Sequence, residues 1–334
     1  MDHLVSTLQQ LYQVKVNWAG SKYLGMDVDI DREERHVTIS MPGYIAKLLQ
    51  RVKPDGIKGA STPGIYTPPN YHNPTSQRAT VDSSNRVSES QKKFFQSVVG
   101  TLLYYSRAVD PAILTAVLEL GSTQANPTER DMEKMERLLQ YTSSHPNNAI
   151  RYYASNMVLQ LMSDASFLSR PKARSVAGLS SYFGEPHIIN GPVAYASKII
   201  NSVVASAAEA ELAAAFIAAQ KATQHRNLLA EWGYPQPPTL LRVDNTVAIG
   251  LANGSINAKR SKSMDMRFFW LIDRVRQGQF CVEHIAGKFN FADHFTKTLP
   301  KQIFSVFFPF LTINLDDEPT KPKVRTKTIT MPKL

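Results

Sequence analysis

Four carboxylates in the second half of the chain have the types and spacing to hold metal ions for phosphate chemistry. They are Asp164, Glu211, Asp244 and Asp293, each in or beside a predicted helix or strand. Four carboxylates that converge repel one another and cannot all ionise at low cost. Two Mg²⁺ ions, or Mn²⁺ as an alternative, would remove that penalty, because such ions bind carboxylate oxygens and keep several waters. A pair of ions ~3.5–4 Å apart can activate a water and stabilise the leaving oxygen of a phosphodiester.

Each of these acids also has a purely structural explanation. Asp244 could cap a helix N-terminus, and Asp293 could belong to a capping box. Asp164 could be a turn residue, and Glu211 could be a half-exposed helix acid beside Glu209. His284 and His294 could assist proton transfer or product release, or could be ordinary strand and helix residues. Spacing alone leaves these alternatives open.

The elements that must position the carboxylates form a predicted mixed α/β domain. We predict strands over 158–166, 175–183, 191–199, 240–243 and 279–285, and helices over 206–231, 246–251, 264–276 and 292–299. Asp164 lies at the end of the first of these strands, and Asp244 directly follows the fourth. If these two strands are parallel neighbours, both carboxylates emerge at the carboxyl edge, where ligands bind in open α/β sheets.

The first half of the chain predicts a hairpin and several helices. We expect strands over 22–30 and 36–41, and helices over 5–13, 44–52, 91–107, 109–123 and 127–143. The last of these helices has a start signal, with Asn126 at the N-cap, Pro127 at the first position and Glu129 at N3. A stretch rich in Pro and Ser separates the hairpin region from the helices, and we interpret it as a linker.

Composition excludes several classes of protein and favours a polyanionic partner. The chain has 334 residues, 43% of them hydrophobic, and one cysteine, which excludes an intramolecular disulfide and Cys-rich zinc modules. Its apolar runs are far shorter than the ~20 residues of a membrane span, and it begins without a secretory signal. We therefore expect an intracellular protein, cytoplasmic or nuclear, with no membrane partner. Its net charge of +10 favours nucleic acid.

Part of the positive charge is concentrated in 255–276. Four cations of this segment are candidate phosphate contacts: Lys259, Arg260, Lys262 and Arg267. Such contacts position a nucleic acid without reading its sequence. The alternative is a charged face that water solvates.

At these residues the sequence resembles the C-terminal part of the Pol polyproteins of Ty1/copia-type retrotransposons. The matching blocks, in the family's order, are KYLGMDVDI (22–30), GYIAKLLQRV (43–52), FQSVVGTLLYYSRAVDPAI (95–113), SDASFLSRPKARSVAG (163–178), YASK (195–198), AAEAELAA (207–214), VDNTVAIGLA (243–252), SKSMDMRFFWLIDRV (261–275) and ADHFTKTLP (292–300). They cover the end of the reverse transcriptase, the connecting helices and the RNase H domain.

The resemblance implies a domain order and an active site. It places the end of the reverse transcriptase palm and the start of the thumb in 1–53, a linker in 54–90, a helical thumb or connection region in 91–150, an RNase H-like domain in 151–305, and a tail, disordered towards its end, in 306–334. The family's D-E-D-D metal site falls on Asp164, Glu211, Asp244 and Asp293, with Glu211 preferred to Glu209.

The activity that the resemblance implies is Mg²⁺-dependent hydrolysis of the RNA strand of an RNA–DNA hybrid. The missing polymerase part of a Pol polyprotein is a further expected partner. No Tyr-x-Asp-Asp polymerase motif is present, so polymerase activity is not expected. In the basic segment SKSMDMRFFW replaces the family's SKHIDIRYHF, and reduced substrate affinity is expected if the replaced groups contact the substrate. One alternative is a catalytically silent, nucleic-acid-binding remnant of a truncated polyprotein. Another is a generic basic protein whose carboxylates are helix caps.

Overall fold

Two five-stranded sheets and their flanking helices make up the part of the chain that the computed structural model describes, namely residues 1–68, 82–186, 188, 190–256 and 268–317. The strands are β1 Lys22–Tyr23, β2 Met26–Asp31, β3 His36–Ser40, β4 Asn148–Tyr153, β5 Leu159–Arg170, β6 Arg174–Phe183, β7 Ala194–Ile199, β8 Thr239–Val243, β9 Phe280–His284 and β10 Ile313–Asn314. The helices are α1 Asp2–Gln9, α2 Tyr44–Val52, α3 Glu89–Ala108, α4 Leu114–Thr123, α5 Glu129–Ser144, α6 Ala207–Glu231, α7 Thr246–Ala252, α8 Phe268–Arg276 and α9 Lys301–Leu311.

The sheet that carries the candidate site, called here the carboxylate sheet, has the order β7-β6-β5-β8-β9. Strands β5, β6 and β7 are antiparallel neighbours, whereas β8 and β9 run parallel to β5. The central strand is therefore the first of the five in the chain, and α6 makes the crossover to β8. This order confirms the predicted mixed α/β fold.

The other sheet, called here the N-terminal sheet, has the order β1-β2-β3-β4-β10 and is antiparallel throughout. Its β2–β3 hairpin turns where predicted, because Asp31 Oδ1 accepts hydrogen bonds from the backbone N–H groups of Glu33 and Glu34.

The expected domain ends at 150 and 305 fall inside β4 and α9. Strand β4 pairs with β3 and not with the carboxylate sheet, so the two sheets are joined by the short stretch after β4.

Two hydrophobic cores cover opposite faces of the carboxylate sheet. One lies against α6, α7 and α8, and it is rich in small side chains such as Ala214 and Ala218. The other contains Leu102 of α3, Val117 of α4, Leu138 of α5 and Phe307 of α9 together with Met162 of β5. The helices of the first half and the carboxylate sheet thus share a continuous core.

Helix α5 begins later than the sequence indicated. The expected N-cap was Asn126, but the N-cap is Thr128, whose hydroxyl accepts a hydrogen bond from Asp131 N and whose N–H is bonded by the Asp131 side chain. The prediction was wrong because both starts satisfy capping rules. The pairing of Arg86 with Thr128, which holds the chain extended there, decides between them.

The predicted helix over 292–299 is also wrong. The chain forms a short 3₁₀ turn, Phe291–Phe295, and then helix α9, whose N-cap is Pro300. A residue that precedes proline is disfavoured in the helical region, so one helix cannot run through Leu299 into α9. The turn starts where the side chain of Asn290 accepts a hydrogen bond from Ala292 N.

The strand predicted over 22–30 is divided into β1 and β2, which pair antiparallel, because Leu24 and Gly25 turn the chain with positive φ. The remaining predicted elements are present within a few residues at each end, although only residues from Phe268 onward of the predicted helix 264–276 are described. The helix expected at 109–123 is divided into a 3₁₀ turn, Pro111–Ile113, and α4. Within the described ranges no helix combines the length and the apolar character needed to cross a membrane.

Candidate functional site

Three of the four carboxylates converge at one edge of the carboxylate sheet. One oxygen each of Asp164, Glu211 and Asp244 lies within 4.8 Å of the other two. Asp164 lies within β5 and is 2% exposed, while Asp244 directly follows β8. Strands β5 and β8 pair in parallel as predicted, through Met162 and Arg242, so Asp164 and Asp244 both lie just beyond the paired residues, at the carboxyl edge of this pair. The expectation that Asp164 ends its strand was wrong, because β5 continues to Arg170 along β6.

Helix α6 brings Glu211 to this edge. Its first turns are capped by Ser206 and lined by alanines, which let the helix approach the sheet closely. Glu211 Oε1 accepts a hydrogen bond from Ala165 N at 3.2 Å. Glu211 Oε2 is buried and has no hydrogen-bond partner among the residues described. Glu209 instead accepts a hydrogen bond from Ala205 N, so Glu211 and not Glu209 enters the cluster.

Asp293 reaches the cluster from the turn Phe291–Phe295. Its carboxylate Oδ1 lies 2.5 Å from Lys297 Nζ, and its side chain is 15% exposed. The turn lies directly on β6 at Gly178, the residue opposite Asp164 in the sheet. A Cβ at Gly178 would lie 2.5 Å from the carbonyl oxygen of Ala292, so only glycine permits this approach.

Residues that follow Asp293 also contact the cluster. The hydroxyl of Thr296, which is buried, donates a hydrogen bond to Asp164 Oδ2. Lys297 supplies a positive charge next to the carboxylates, and its side chain is half exposed. The sequence interpretation missed Thr296, Lys297 and Gly178. The i, i+4 spacing of Asp293 and Lys297 was the one readable signal.

The electrostatics of the cluster are those of crowded acids. Burial, followed by the charges of Asp164 and Asp244, raises the pKa of Glu211 to about 9. Burial and the charge of Asp164 raise the pKa of Asp293 to about 7, and they also raise the pKa of Asp244. Burial disfavours the charged form of Lys297, but the neighbouring carboxylates more than compensate and raise its pKa.

These features fit a divalent cation. The carboxylates face one another and one lysine, and Glu211 Oε2 is left without a donor. Buried charge is stable when it is paired or binds a metal. Carboxylate oxygens are the ligands that Mg²⁺ prefers. The residues able to hold such ions are Asp164, Glu211, Asp244 and Asp293.

The structural alternatives for three of the four acids, Asp164, Glu211 and Asp244, do not describe their positions. Asn245 caps α7, accepting hydrogen bonds from Val247 N and Ala248 N, so Asp244 does not. Asp164 pairs with Gly178 in the middle of the β5–β6 ladder and is not in a turn. Glu211 is 7% exposed and so is not a surface acid of α6.

The two candidate histidines occupy different places. His284 ends β9, and its charge lowers the pKa of Asp244, although burial dominates that group. His294 is fully buried, and its ring Nε2 lies 2.9 Å from the carbonyl oxygen of Ala112, away from the cluster. Burial lowers the pKa of His294 to about 4, which keeps the ring neutral. The hypothesis that His294 transfers protons at the site does not agree with this position.

The predicted phosphate contacts Lys259, Arg260, Lys262 and Arg267 lie outside the described residues. Their place relative to the carboxylates is therefore still a prediction.

Comparison with known proteins confirms the resemblance to Ty1/copia-type Pol polyproteins. The chain is 25% identical over 305 residues to the retrovirus-related Pol polyprotein from transposon TNT 1-94 of Nicotiana tabacum, covering 91% of this chain and 22% of that protein. It is 25% identical over 311 residues to the corresponding protein from transposon RE1 of Arabidopsis thaliana, covering 92% and 20%. The chain thus spans about a fifth of the length of these relatives. No family model matches it.

Among solved structures, the chain is similar to LC11-RNase H1, isolated from compost, at 16% identity. The match covers 42% of this chain and 93% of that one with a TM-score of 0.34. It is also similar to RNase H1 from Halobacterium salinarum NRC-1 at 18% identity, covering 40% and 88% with a TM-score of 0.27.

Proposed function

We propose that this chain carries an RNase H-type nuclease that hydrolyses the RNA strand of RNA–DNA hybrids. The observation that carries the proposal is the convergence of Asp164, Glu211 and Asp244 at the carboxyl edge of β5 and β8, with Glu211 Oε2 buried and unpartnered in the described chain. The similarity to Pol polyproteins supports the reaction class. Within a longer polyprotein, the polymerase part is the proposed partner.

The four carboxylates are the proposed ligands of two Mg²⁺ ions, with Mn²⁺ as a replacement. When bound, such ions activate a water for attack on the phosphodiester and stabilise the leaving oxygen. The protein supplies the orientation of the ligands. Thr296 fixes the Asp164 carboxylate by a hydrogen bond, and Ala165 N fixes one oxygen of Glu211. Asp293 is the fourth proposed ligand. It lies next to Asp164, and Lys297 lies beside it.

The substrate is proposed from charge and from the fold. A net charge of +10 attracts a nucleic acid backbone, and Lys259, Arg260, Lys262 and Arg267 are the proposed phosphate contacts. Selection of the RNA strand requires contacts to 2′-hydroxyl groups, which DNA lacks. A polymerase reaction is not part of the proposal.

A cleavage assay with an end-labelled RNA–DNA hybrid and Mg²⁺ tests the proposal. We expect cleavage of the RNA strand of the hybrid but not of an RNA duplex. The variant Asp164→Asn is expected to lose about 1,000-fold in rate, since metal stabilisation of the transition state is worth several kcal/mol. A matched control is Asp131→Asn, which changes a buried acid that caps α5.

Two outcomes contradict the proposal. One is undiminished Mg²⁺-dependent cleavage by folded Asp164→Asn. The other is a folded wild-type protein that binds the hybrid without cutting it, which would identify a catalytically silent nucleic-acid-binding remnant.

A further inference from the structure

His294 joins the turn that carries Asp293 to the helices of the first half of the chain. Its ring Nε2 donates a hydrogen bond to the carbonyl oxygen of Ala112 at 2.9 Å. Its own carbonyl oxygen accepts a hydrogen bond from the hydroxyl of Thr115 at 2.6 Å. Both the side chain and the main chain of one residue are therefore held by the segment 112–115, which lies outside the carboxylate sheet.

The segment that receives His294 is itself fixed. Asp110 is fully buried and caps the turn Pro111–Ile113, because its Oδ1 accepts a hydrogen bond from Ala112 N. Its other oxygen accepts from Asn148 Nδ2 at 2.9 Å, which connects the turn to β4 of the N-terminal sheet. The carbonyl of Ala112 thus has a defined position before His294 bonds to it.

The turn that carries Asp293 is also held by the carboxylate sheet, because Asn290 Nδ2 donates a hydrogen bond to Ser163 O at 2.9 Å and the Thr296 hydroxyl donates one to Asp164. On one side it rests on Gly178 of β6, where the absence of a side chain permits close approach but gives no lateral restraint. On the other side it meets Ala112 and Thr115, and Phe304 packs against the His294 ring at 5.6 Å between centroids. The Asp293 turn is therefore held by two sets of contacts, one from the carboxylate sheet and one from the segment 112–115.

We propose that His294, with Thr115, is a positioning residue that clamps the Asp293 turn to the Pro111–Ile113 turn and α4, so that the helices of the first half form part of the metal site. This inference rests on the proposed function, because it assigns Asp293 to that site. Groups that hold a metal ligand in place affect metal affinity by about 10- to 100-fold when they are changed.

The test compares His294→Leu and His294→Gln with a matched control. Leucine keeps apolar bulk and removes the donor, whereas the amide of glutamine restores an N–H at a similar reach. The control is Thr312→Val, which removes a buried hydrogen bond from a threonine hydroxyl to Ala149 O at 2.8 Å in the N-terminal sheet. Each variant is measured by thermal unfolding, by calorimetric titration with Mg²⁺, and by amide hydrogen exchange of the peptide 291–297 in EDTA.

We expect His294→Leu to weaken Mg²⁺ affinity by about 10-fold and to speed exchange in 291–297, with His294→Gln restoring both. We expect Thr312→Val to lower the unfolding temperature and to change neither. If His294→Leu does not fold, Thr115→Val gives the same comparison by removing one hydrogen bond.

The clamp is overturned if His294→Leu or Thr115→Val behaves like Thr312→Val, with lower stability but unchanged Mg²⁺ affinity and unchanged exchange. Failure of the proposed function looks different. In that case wild-type protein takes up no Mg²⁺, while the exchange measurement in EDTA still decides whether His294 holds the turn.

Discussion

Asp110 and Glu211 are both buried acids, but the groups around them differ. Both oxygens of Asp110 accept hydrogen bonds from neutral donors, Ala112 N and Asn148 Nδ2. Glu211 has one backbone donor, and its second oxygen faces other carboxylates with no donor in the described chain. Burial raises the pKa of Asp110 to about 7, whereas burial and neighbouring negative charge together raise the pKa of Glu211 to about 9.

This difference distinguishes an acid that stabilises the fold, Asp110, from an acid in a cluster suited to binding a cation, Glu211. Neutral donors compensate Asp110, so its surroundings are complete without an ion. The surroundings of Glu211 concentrate negative charge, which is costly unless a cation compensates it. Burial alone does not distinguish the two acids, but the inventory of donors around each one does.

The largest expected effect is on cleavage by Glu211→Gln. We expect a loss of about 100- to 1,000-fold, because a neutral amide replaces a metal ligand whose contribution is worth several kcal/mol. The unfolding temperature in EDTA should not fall, since the substitution removes a carboxylate from a crowded cluster. Rates are measured on an end-labelled hybrid, with unfolding followed by circular dichroism. A folded Glu211→Gln variant with normal activity would remove Glu211 from the site.

The second expectation concerns the pH dependence of stability. Asp110, Asp293 and Glu211 are among the acids with raised pKa values, and they bind more protons in the folded than in the unfolded state, where carboxyl pKa values are about 4. The metal-free protein should therefore lose stability as pH rises from about 4 through 7 and on to about 9. Saturating Mg²⁺ should remove the part due to Glu211 and Asp293 and leave the part due to Asp110.

Urea unfolding between pH 5 and pH 9, in EDTA and in Mg²⁺, measures this difference. Parallel curves in the two conditions would show that the cluster binds no ion. An Asp110→Asn background removes the part of the slope that Mg²⁺ does not change.

A third, smaller effect is expected for Asp110→Asn itself. One of the two donors loses its acceptor and meets an amide N–H, which costs roughly 1–3 kcal/mol of unfolding free energy when buried. The midpoint of Mg²⁺ activation should stay at the wild-type value, since Asp110 touches no carboxylate of the cluster. Denaturant titration gives the stability, and cleavage at several Mg²⁺ concentrations gives the midpoint. If Asp110→Asn and Glu211→Gln changed the unfolding free energy and the midpoint of Mg²⁺ activation equally, the two acids would not have different roles.

The smallest effect is expected for Glu209→Gln, the neighbour of Glu211 on α6. Glu209 is half-buried at the helix start and accepts a hydrogen bond from Ala205 N. An amide can still accept that bond, so we expect a stability change of about 0.5 kcal/mol or less and a normal cleavage rate. Hybrid cleavage measured beside Glu211→Gln checks this. If Glu209→Gln lost activity and Glu211→Gln did not, Glu209 would be the metal ligand in place of Glu211.

Much of the fold was predictable because its signals are local. Alternating strands, the Ala-rich α6 and the acids beside the strand ends all follow from periodicity and residue type. The N-terminus of α5 and the 3₁₀ turn Phe291–Phe295 were not predicted correctly, because several capping residues compete locally and long-range contacts choose among them. The pairing of β4 with β3 and β10 was not predicted either, since strand partners distant in sequence leave no local trace.

The sequence by itself determined which acids are present, the order of the strands that bear Asp164 and Asp244, and the resemblance to Pol polyproteins. Only the tertiary structure decided that Glu211 Oε2 is left without a donor in the described chain, that Thr296 donates a hydrogen bond to Asp164, and that the His294 ring bonds to the Pro111–Ile113 turn. The reason is physical. Residue type and periodicity are properties of the chain, whereas donors to a buried acid can come from segments distant in sequence, as Thr296 does for Asp164, 132 residues away.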